Sequence, residues 1–359
     1  MRRRRDSSAD IAGLLVQAVA RGMGAQAIQE ALEAATDSGA ETFLRRVRKH
    51  AGRTLRRRRR AAKGFEKRLW KRWGQALDLF ELILILAQET GSKFNQIYRA
   101  GAAEEQDAAF EVLSRLHARS CLTANEVLVL LASGHAPGAE GRWRTAHELA
   151  VTSHVIARRD EGIARRYLDH EIIERAADAE LYEAYHERLG YEPWEPGVMD
   201  ALRAERSRLL KRYGKAFRGN YGWAAPLFDG RSPELADLER LVRLDHLQPW
   251  RHYGTRRVHA SARGASMGVL QRGPHRMLQA GPTNYGLADS GHGVLISLYQ
   301  ATVAFLLFGR SSIDEPSFLV TAKTIGELVN EAGEAFLRAH NELVADEAAL
   351  WNQRDELTE

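Results

Sequence analysis

The chain has 359 residues, a net charge of +5 and 44% hydrophobic residues, which is typical of a folded globular protein. Its single cysteine, Cys121, excludes an internal disulfide, so we expect a cytoplasmic protein and interpret Cys121 as a small buried residue rather than a reactive thiol. The most apolar runs, 82–87 and 294–308, are shorter than the roughly 18 residues that a membrane-spanning helix needs, and they predict buried helices.

Charge is unevenly distributed along the chain. Residues 1–74 carry 20 Lys and Arg against 7 Asp and Glu, a net +13, whereas residues 75–359 carry 32 against 40, a net −8. This division predicts a basic N-terminal helical head or linker over residues 1–64 and a helical body over residues 65–359.

The first residues combine a basic start with a short apolar segment, as a signal peptide does. Asp6 and Asp10 interrupt that pattern, and the apolar spacing continues, so we interpret the segment as an amphipathic helix. A second short helix is expected to end at 37–39, where Asp, Ser and Gly follow one another. The arginine clusters from 45 to 60 then predict a projecting helix, a disordered linker or a surface for an anion.

The basic head is a candidate binding surface for a polyanion. Clustered arginines bind phosphates, and we expect nucleic acid or another polyanion to bind through residues 45–72. The alternative is a solvated arm with no specific partner. No aromatic residue lies between residues 44 and 64, which argues against recognition of single strands by base stacking. The central candidate residues are Arg56, Arg57, Arg58, Arg59 and Arg60.

After the head, the sequence predicts an all-α, multi-helix, bundle-like body. A possible exception is residues 268–280, where two short apolar runs around a glycine-proline turn predict a small β-hairpin. Apolar spacing predicts helices at about 103–119, 123–133, 140–158, 160–188, 198–217, 234–243, 293–308 and 316–351. The second of these is expected to begin at Thr123, which has Glu126 three residues on, as in a capping box.

A first polar constellation lies on the helix predicted over 140–158. Arg144, His147 and Glu148 have the spacing i, i+3, i+4, so they share one face, and His154 leans the same way. Such a set can serve acid-base catalysis or an anionic ligand. The alternative is an Arg–Glu pair that braces the helix against its neighbour.

A second constellation lies in the stretch 250–264, between a helical region and a glycine-rich one. Its glycines would let the backbone approach a ligand closely. If the stretch packs against the 140–158 helix, His147, Glu148, Arg256 and His259 could line one polar pocket. The candidate side chains of this stretch are Tyr253, Arg256, Arg257, His259 and Ser261.

A third polar segment lies at 284–292, at the start of an apolar helix. Either Asp289 or Ser290 is expected to cap this helix, or Asp289 and His292 help to hold an anion at its N-terminus. We expect no metal and no cofactor: the pairs His147-Glu148 and His170-Glu171 lack the spacing that places two imidazoles on one helix face, and nucleotide-binding signatures are absent.

Three segments together are similar to a family of helical bacterial proteins of unknown function, numbered 5677. They are GRWRTAHELAVTSHVIARRDEGIARRYLDH, YGTRRVHASARG and AGPTNYGLADSGHGVLISLYQATVAFLL, in this order. The resemblance covers about residues 65–310 and implies an all-helical fold in a bacterial cytoplasm, with no established reaction. The family often carries serine in the tyrosine-to-histidine run, where this chain has Thr255 and Arg256.

The leading functional prediction is therefore a cytoplasmic helical protein that binds an anionic partner such as nucleic acid. One alternative is a metal-independent ribonuclease of a phage-defence or toxin type that uses histidine and arginine. The spacing of Arg142 and His147 fits the R-x4-6-H motif of the HEPN ribonucleases, whereas no arginine has that spacing before His259. A second alternative is a non-catalytic protein-interaction module.

Overall fold

A computed structural model describes most of the chain, and the fold is all-α, as predicted. The signal-peptide interpretation and the first predicted helix fall on residues 1–19, which lie outside the described residues. The described residues are 20, 22–158, 161–272, 275–308 and 316–356.

Helices account for nearly all of the regular structure. Two four-residue strands, β1 (Val269–Arg272) and β2 (His275–Leu278), pair antiparallel within the stretch where the sequence predicts a hairpin. Short 3₁₀ turns lie at Lys215–Arg218, Gly222–Phe228 and Asp245–Leu247. The α-helices are α1 (Ala25–Glu104), α2 (Ala108–Ala132), α3 (Ala136–Ala157), α4 (Glu161–Leu189), α5 (Val198–Tyr213), α6 (Leu235–Val242), α7 (Gln248–Val258), α8 (Ala262–Ser266), α9 (Leu287–Leu306) and α10 (Pro316–Glu356).

Two predicted helix boundaries are wrong. Helix α1 continues through residues 37–39, because a mid-helix glycine costs only about 1 kcal/mol relative to alanine and the flanking residues favour helix. Helix α2 continues through Thr123, whose hydroxyl donates to the Arg119 carbonyl one turn back and caps nothing. The N-cap of α2 is Asp107, whose carboxylate accepts from the backbone N–H of Phe110 at 2.8 Å.

The chain divides into two compact units between Lys67 and Arg68. The sequence prediction places the division after residue 64. In the N-terminal unit, the described residues belong mainly to the first part of α1, and almost all of them are exposed. The C-terminal unit contains the remaining helices and the buried core.

An aromatic cluster joins four helices at one end of the core. The ring of Phe94 on α1 lies 6.2 Å from that of Phe110 on α2, 4.8 Å from Phe305 on α9 and 5.1 Å from Phe318 on α10. All four rings are buried, and aromatic pairs at these distances add to the stabilisation from burial. The cluster fixes the facing surfaces of α1, α2 and α9, between which a cavity lies.

Helix α3 is the centre of the C-terminal unit and packs against α2, α9, α7 and α6. Trp143 on α3 donates from its indole N–H to the Ser297 hydroxyl of α9 at 3.1 Å. A Cβ at Gly293 would lie 3.0 Å from the same indole ring, so a glycine is needed for α9 to approach this closely. Of the three polar segments singled out in the sequence, α3 is therefore the one that can contact the other two.

Within the described ranges, no helix is both long enough and apolar enough to cross a membrane.

Candidate functional site

A strongly charged surface lies on the first part of α1. Between residues 42 and 65 the chain has eleven Lys and Arg residues and no Asp or Glu. Arg56, Arg57, Arg58, Arg59 and Arg60 are all exposed, and in the described part of the chain no carboxylate forms an ion pair with any of them. This segment, residues 45–63, is called the basic helix below.

Helical geometry arranges these charges on one side. At about 100° per residue, all the cations of the basic helix except Arg58 fall within roughly half of the circumference. The exposed apolar side chains Phe43, Leu44, Val47 and Leu55 occupy the other part. The basic helix therefore has one cationic side and a narrower side that carries apolar side chains.

The stretch 250–264 forms α7 and α8, and α7 packs directly against α3. A Cβ at Gly254 would lie 3.0 Å from the Glu140 carbonyl oxygen, so glycine allows the two helix backbones to approach. Arg257 donates to the Glu140 carboxylate at 2.9 Å and to the Met267 carbonyl at 3.1 Å. The packing of this stretch on the 140–158 helix, on which the predicted pocket depends, is present.

At the centre of this contact, a buried carboxylate binds His147, a candidate residue of the first constellation, and Arg251, which lies in the stretch 250–264. Glu239 on α6 is fully buried and accepts from Arg251 at 2.6 and 3.2 Å. The imidazole Nε2 of His147, which is also fully buried, lies 2.9 Å from the same carboxylate. These three side chains, called the buried triad below, join α3, α6 and α7.

The triad holds its carboxylate in the charged form. Burial by itself would raise the pKa of Glu239, but the hydrogen bonds from His147 and Arg251 and the charge of Arg251 outweigh it, so the pKa is lowered. The carboxylate is thus neutralised by its neighbours without contact with solvent. Arg251 is 9% exposed, so part of the stretch 250–264 lies in the core.

The remaining members of the first constellation lie beside the triad. Glu148 is half-buried and accepts from the Tyr221 hydroxyl at 2.8 Å. Burial and the Glu148 charge together raise the pKa of Tyr221. The Nε of Arg144 is buried and has no hydrogen-bond partner among the described residues. Burial lowers the pKa of His154 to about 4, with a contribution from Arg158.

The end of the second constellation faces solvent. Arg256 and His259 are exposed, and Tyr253 is 43% exposed with the Arg257 guanidinium 5.6 Å from its ring centre. Ser261 caps α8, because its hydroxyl accepts from the Gly264 N–H at 3.1 Å. The structure therefore links His147 to α7 through Glu239, but His147 is sealed in the core while Arg256 and His259 lie at the surface.

The third segment also lies close to α3. Asp289 is exposed in the first turn of α9. The pKa of Glu140 is raised, mainly by burial and also by the charge of Asp289, although Arg257 opposes this rise. His292 is half-buried, and burial lowers its pKa against the opposing charge of Asp289. The N-cap of α9 is Gly286, so the expectation that Asp289 or Ser290 caps this helix is wrong. The Ser290 hydroxyl donates to the Gly286 carbonyl at 3.4 Å.

These contacts describe a network that fastens helices together. In the R-x4-6-H motif formed by Arg142 and His147, the imidazole is fully buried on Glu239 and Arg142 is paired with Glu126. Catalytic roles for Arg144, His147, Glu148, Arg256 and His259 stay predictions. In the part of the chain that the structure describes, no three His, Cys, Asp or Glu side chains are grouped so that they could hold a metal ion.

Sequence reasoning missed Glu239, although a signal was available. Leu235, Leu238 and Val242 of α6 are buried on one face, and position 239 has the spacing that belongs to the same face. A carboxylate on an apolar helix face predicts a buried partner of opposite charge. The interpretation of Cys121 as a small buried residue is confirmed.

Comparison with known proteins supports one of the resemblances in the sequence. No curated protein and no solved structure matches the chain. Residues 110–272, which contain α3, the buried triad and α7, match the model of a family of unknown function, DUF5677. The segment 280–307 lies outside the matched residues. The resemblance to family 5677 is thus confirmed over residues 110–272.

Proposed function

We propose that the protein binds duplex nucleic acid through the basic helix, residues 45–63. The observation that carries the proposal is a run of eleven exposed Lys and Arg side chains on one helix, with no carboxylate among them. The cytoplasmic setting expected from the sequence belongs to the same proposal.

The charge density of the basic helix is comparable to that of a duplex. Residues 45–63 span about 27 Å at 1.5 Å per residue, so eleven cations give about one charge per 2.5 Å. Duplex DNA carries one phosphate charge per roughly 1.7 Å of its axis. A helix also fits the major groove, where one cationic side can contact the backbone phosphates.

Repulsion within the basic helix supports an anionic partner. Like charges stand four residues apart at the pairs 45/49, 49/53, 53/57, 56/60 and 59/63. Each such pair destabilises a helix by about 0.2–0.5 kcal/mol, so the five together cost about 1–2.5 kcal/mol. A bound polyanion removes this repulsion, which adds to the free energy of binding.

The scarcity of stacking side chains favours a duplex over a single strand. Between residues 44 and 64 there is no aromatic residue on which an unpaired base could stack. Contacts to phosphates position a protein on a duplex without reading its sequence. We therefore expect binding with little dependence on base sequence and a steep dependence on salt.

The test is fluorescence anisotropy of a labelled duplex, titrated with the protein over a series of salt concentrations. Each phosphate contact contributes about −0.9 to the slope of log K against log salt. Replacing Arg56–Arg59 by Gln should weaken binding and make the slope shallower by up to about 3.6. The matched control replaces four exposed cations of the C-terminal unit, Arg175, Lys211, Lys215 and Lys323, by Gln.

The control removes the same net charge and is expected to leave the slope unchanged. Absence of binding at low salt would reject the proposal, and so would equal slopes for the two variants. The ribonuclease alternative is tested separately. A labelled RNA is incubated with the wild-type protein or with His259→Ala, and a denaturing gel shows whether the RNA is cleaved and whether cleavage depends on His259.

A further inference from the structure

A cavity of about 600 Å³ lies in the C-terminal unit, and no residue of the buried triad or of the basic helix lines it. Its volume falls in the range of pockets that hold small organic ligands. One wall is formed by α1 residues at helical spacing, Gln88, Ser92, Asn95 and Arg99, and the other wall by α2. The aromatic cluster limits its depth, because Phe305 of α9 lines the cavity.

The floor of the cavity is neutral. His117 on α2 is buried, lies 3.2 Å from the Thr302 hydroxyl and stacks on Phe305 at 5.1 Å between ring centres. Burial lowers the pKa of His117 to about 4 and raises that of the neighbouring Cys121 thiol to about 12. At neutral pH, a ligand therefore meets an uncharged ring, a thiol and an aromatic edge at the floor.

The walls carry one positive charge in excess. Arg115 is paired with Glu111 at 2.7 Å, so these two charges offset each other. Arg99 is exposed, and within the described residues no carboxylate forms an ion pair with it. An anionic group can therefore bind Arg99 without displacing an existing partner.

A hydrogen-bond acceptor on the α1 wall lacks a donor. The side-chain oxygen of Asn95 is buried and has no hydrogen-bond partner among the described residues. A buried acceptor without a partner is unfavourable by about 1–3 kcal/mol, which a ligand O–H or N–H can recover. The serine hydroxyls at 92 and 114 add polar groups to the same walls.

We propose that this cavity binds a small organic monoanion, an aromatic carboxylate that also carries an O–H or N–H donor. The carboxylate binds Arg99, the aromatic ring lies on the neutral floor of His117 and Phe305, and the donor reaches Asn95. Because Arg115 is paired with Glu111, the one charge in excess, on Arg99, favours a ligand with a single carboxylate. The inference is independent of nucleic-acid binding, since it uses none of the residues of the basic helix.

The probe for this site is 3-(4-hydroxyphenyl)propionate, with its neutral amide and with 3-phenylpropionate, which lacks the hydroxyl. Isothermal titration calorimetry of the full chain is expected to give saturable millimolar or tighter binding of the first compound. The amide should bind about ten- to a hundredfold more weakly, as expected for loss of a charge-assisted hydrogen bond. The compound without the hydroxyl should lie between the two.

Variants test the location of the site. Arg99→Gln should weaken binding of the carboxylate to the level of the amide, whereas Arg119→Gln, an exposed arginine of α2 that does not line the cavity, should not. Ser92→Trp should fill the cavity and abolish binding, and Gln96→Trp on the exposed side of α1 should leave it unchanged. Ala118→Trp tests the same point from the opposite wall.

Three results would overturn the inference. The first is no saturable binding of 3-(4-hydroxyphenyl)propionate up to its solubility limit, and the second is equal binding of acid and amide. The third is binding that survives in both Ser92→Trp and Ala118→Trp while their melting curves show folded protein. None of these results bears on the anisotropy measurement with duplex nucleic acid, so the two proposals fail separately.

Discussion

Removing the carboxylate of the buried triad should destabilise the protein far more than removing an exposed one. In Glu239→Leu the Arg251 guanidinium, 9% exposed, loses both hydrogen bonds and its only counter-charge in the triad. Breaking a buried ion pair in this way costs about 3–5 kcal/mol. The His147 imidazole also loses its partner, which adds about 1–3 kcal/mol. We expect a total loss of about 4–8 kcal/mol.

A double variant separates the buried charge from ordinary packing. Glu239→Leu with Arg251→Met removes both charges, and replacing a buried ion pair by apolar side chains is often neutral. The double variant is therefore expected to be about 3–5 kcal/mol more stable than Glu239→Leu alone. The exposed control is Glu334→Leu, whose carboxylate lies 3.5 Å from Arg338 at the surface. Its effect should stay within about 0.5 kcal/mol.

Urea unfolding followed by far-ultraviolet circular dichroism measures these differences at neutral pH and again in acid. Because the folded-state pKa of Glu239 is lowered, its contribution is complete above the ordinary value of 4.5 and is lost as the pH falls below it. The gap between wild type and Glu239→Leu should therefore narrow in acid. If the double variant is no more stable than Glu239→Leu, the explanation by an unpaired buried charge is refuted.

Three further predictions concern the interior around the cavity. Burial lowers the pKa of His117 from 6.5 to about 4, so as the pH falls the imidazole takes up a proton in the unfolded chain before it does so in the folded protein. The free energy of unfolding should therefore fall by about 3 kcal/mol between pH 6.5 and pH 4. His117→Gln should remove most of this slope in pH-dependent urea unfolding, and an unchanged slope would contradict the assignment. Gly91→Ala should lower the melting temperature strongly, since the new Cβ would lie 2.2 Å from the His117 ring. Gly101→Ala on the same helix has open space and should be neutral or stabilising, so a similar loss in both would argue against the steric explanation. Cys121, buried with a pKa raised to about 12, should resist iodoacetamide in the native protein and react in urea; rapid native alkylation would disprove its burial.

Much of the fold follows from apolar periodicity. The bounds of α4 (Glu161–Leu189) and α10 (Pro316–Glu356) lie close to those predicted, because both helices have a regular apolar face. The errors occur where local signals compete. Asp-Ser-Gly at 37–39 and Thr-x-x-Glu at 123–126 are typical of helix ends, yet both lie inside continuous helices.

The candidate site was predictable only in part, for a physical reason. Sequence spacing places His147 on one face of α3 and polar side chains of the stretch 250–264 on α7. It does not reveal which residues of other helices pack against that face. The partner that decides the role of His147 is Glu239, which is 92 residues away in the chain. The cavity beside His117 likewise depends on how α1, α2 and α9 meet, and no local pattern in any one of these helices specifies that arrangement.

The run of cations in the basic helix also makes this segment a natural target of trypsin, which cleaves after lysine and arginine. Eleven cleavable bonds fall between residues 45 and 63, where the side chains are exposed and only local helix opening protects the backbone. A polyanion bound along this surface would cover the bonds and stabilise the helix at once. The rate of tryptic cleavage within the basic helix therefore measures directly how much of the protein has a polyanion bound there. This measurement needs no label and reports on one segment of the chain.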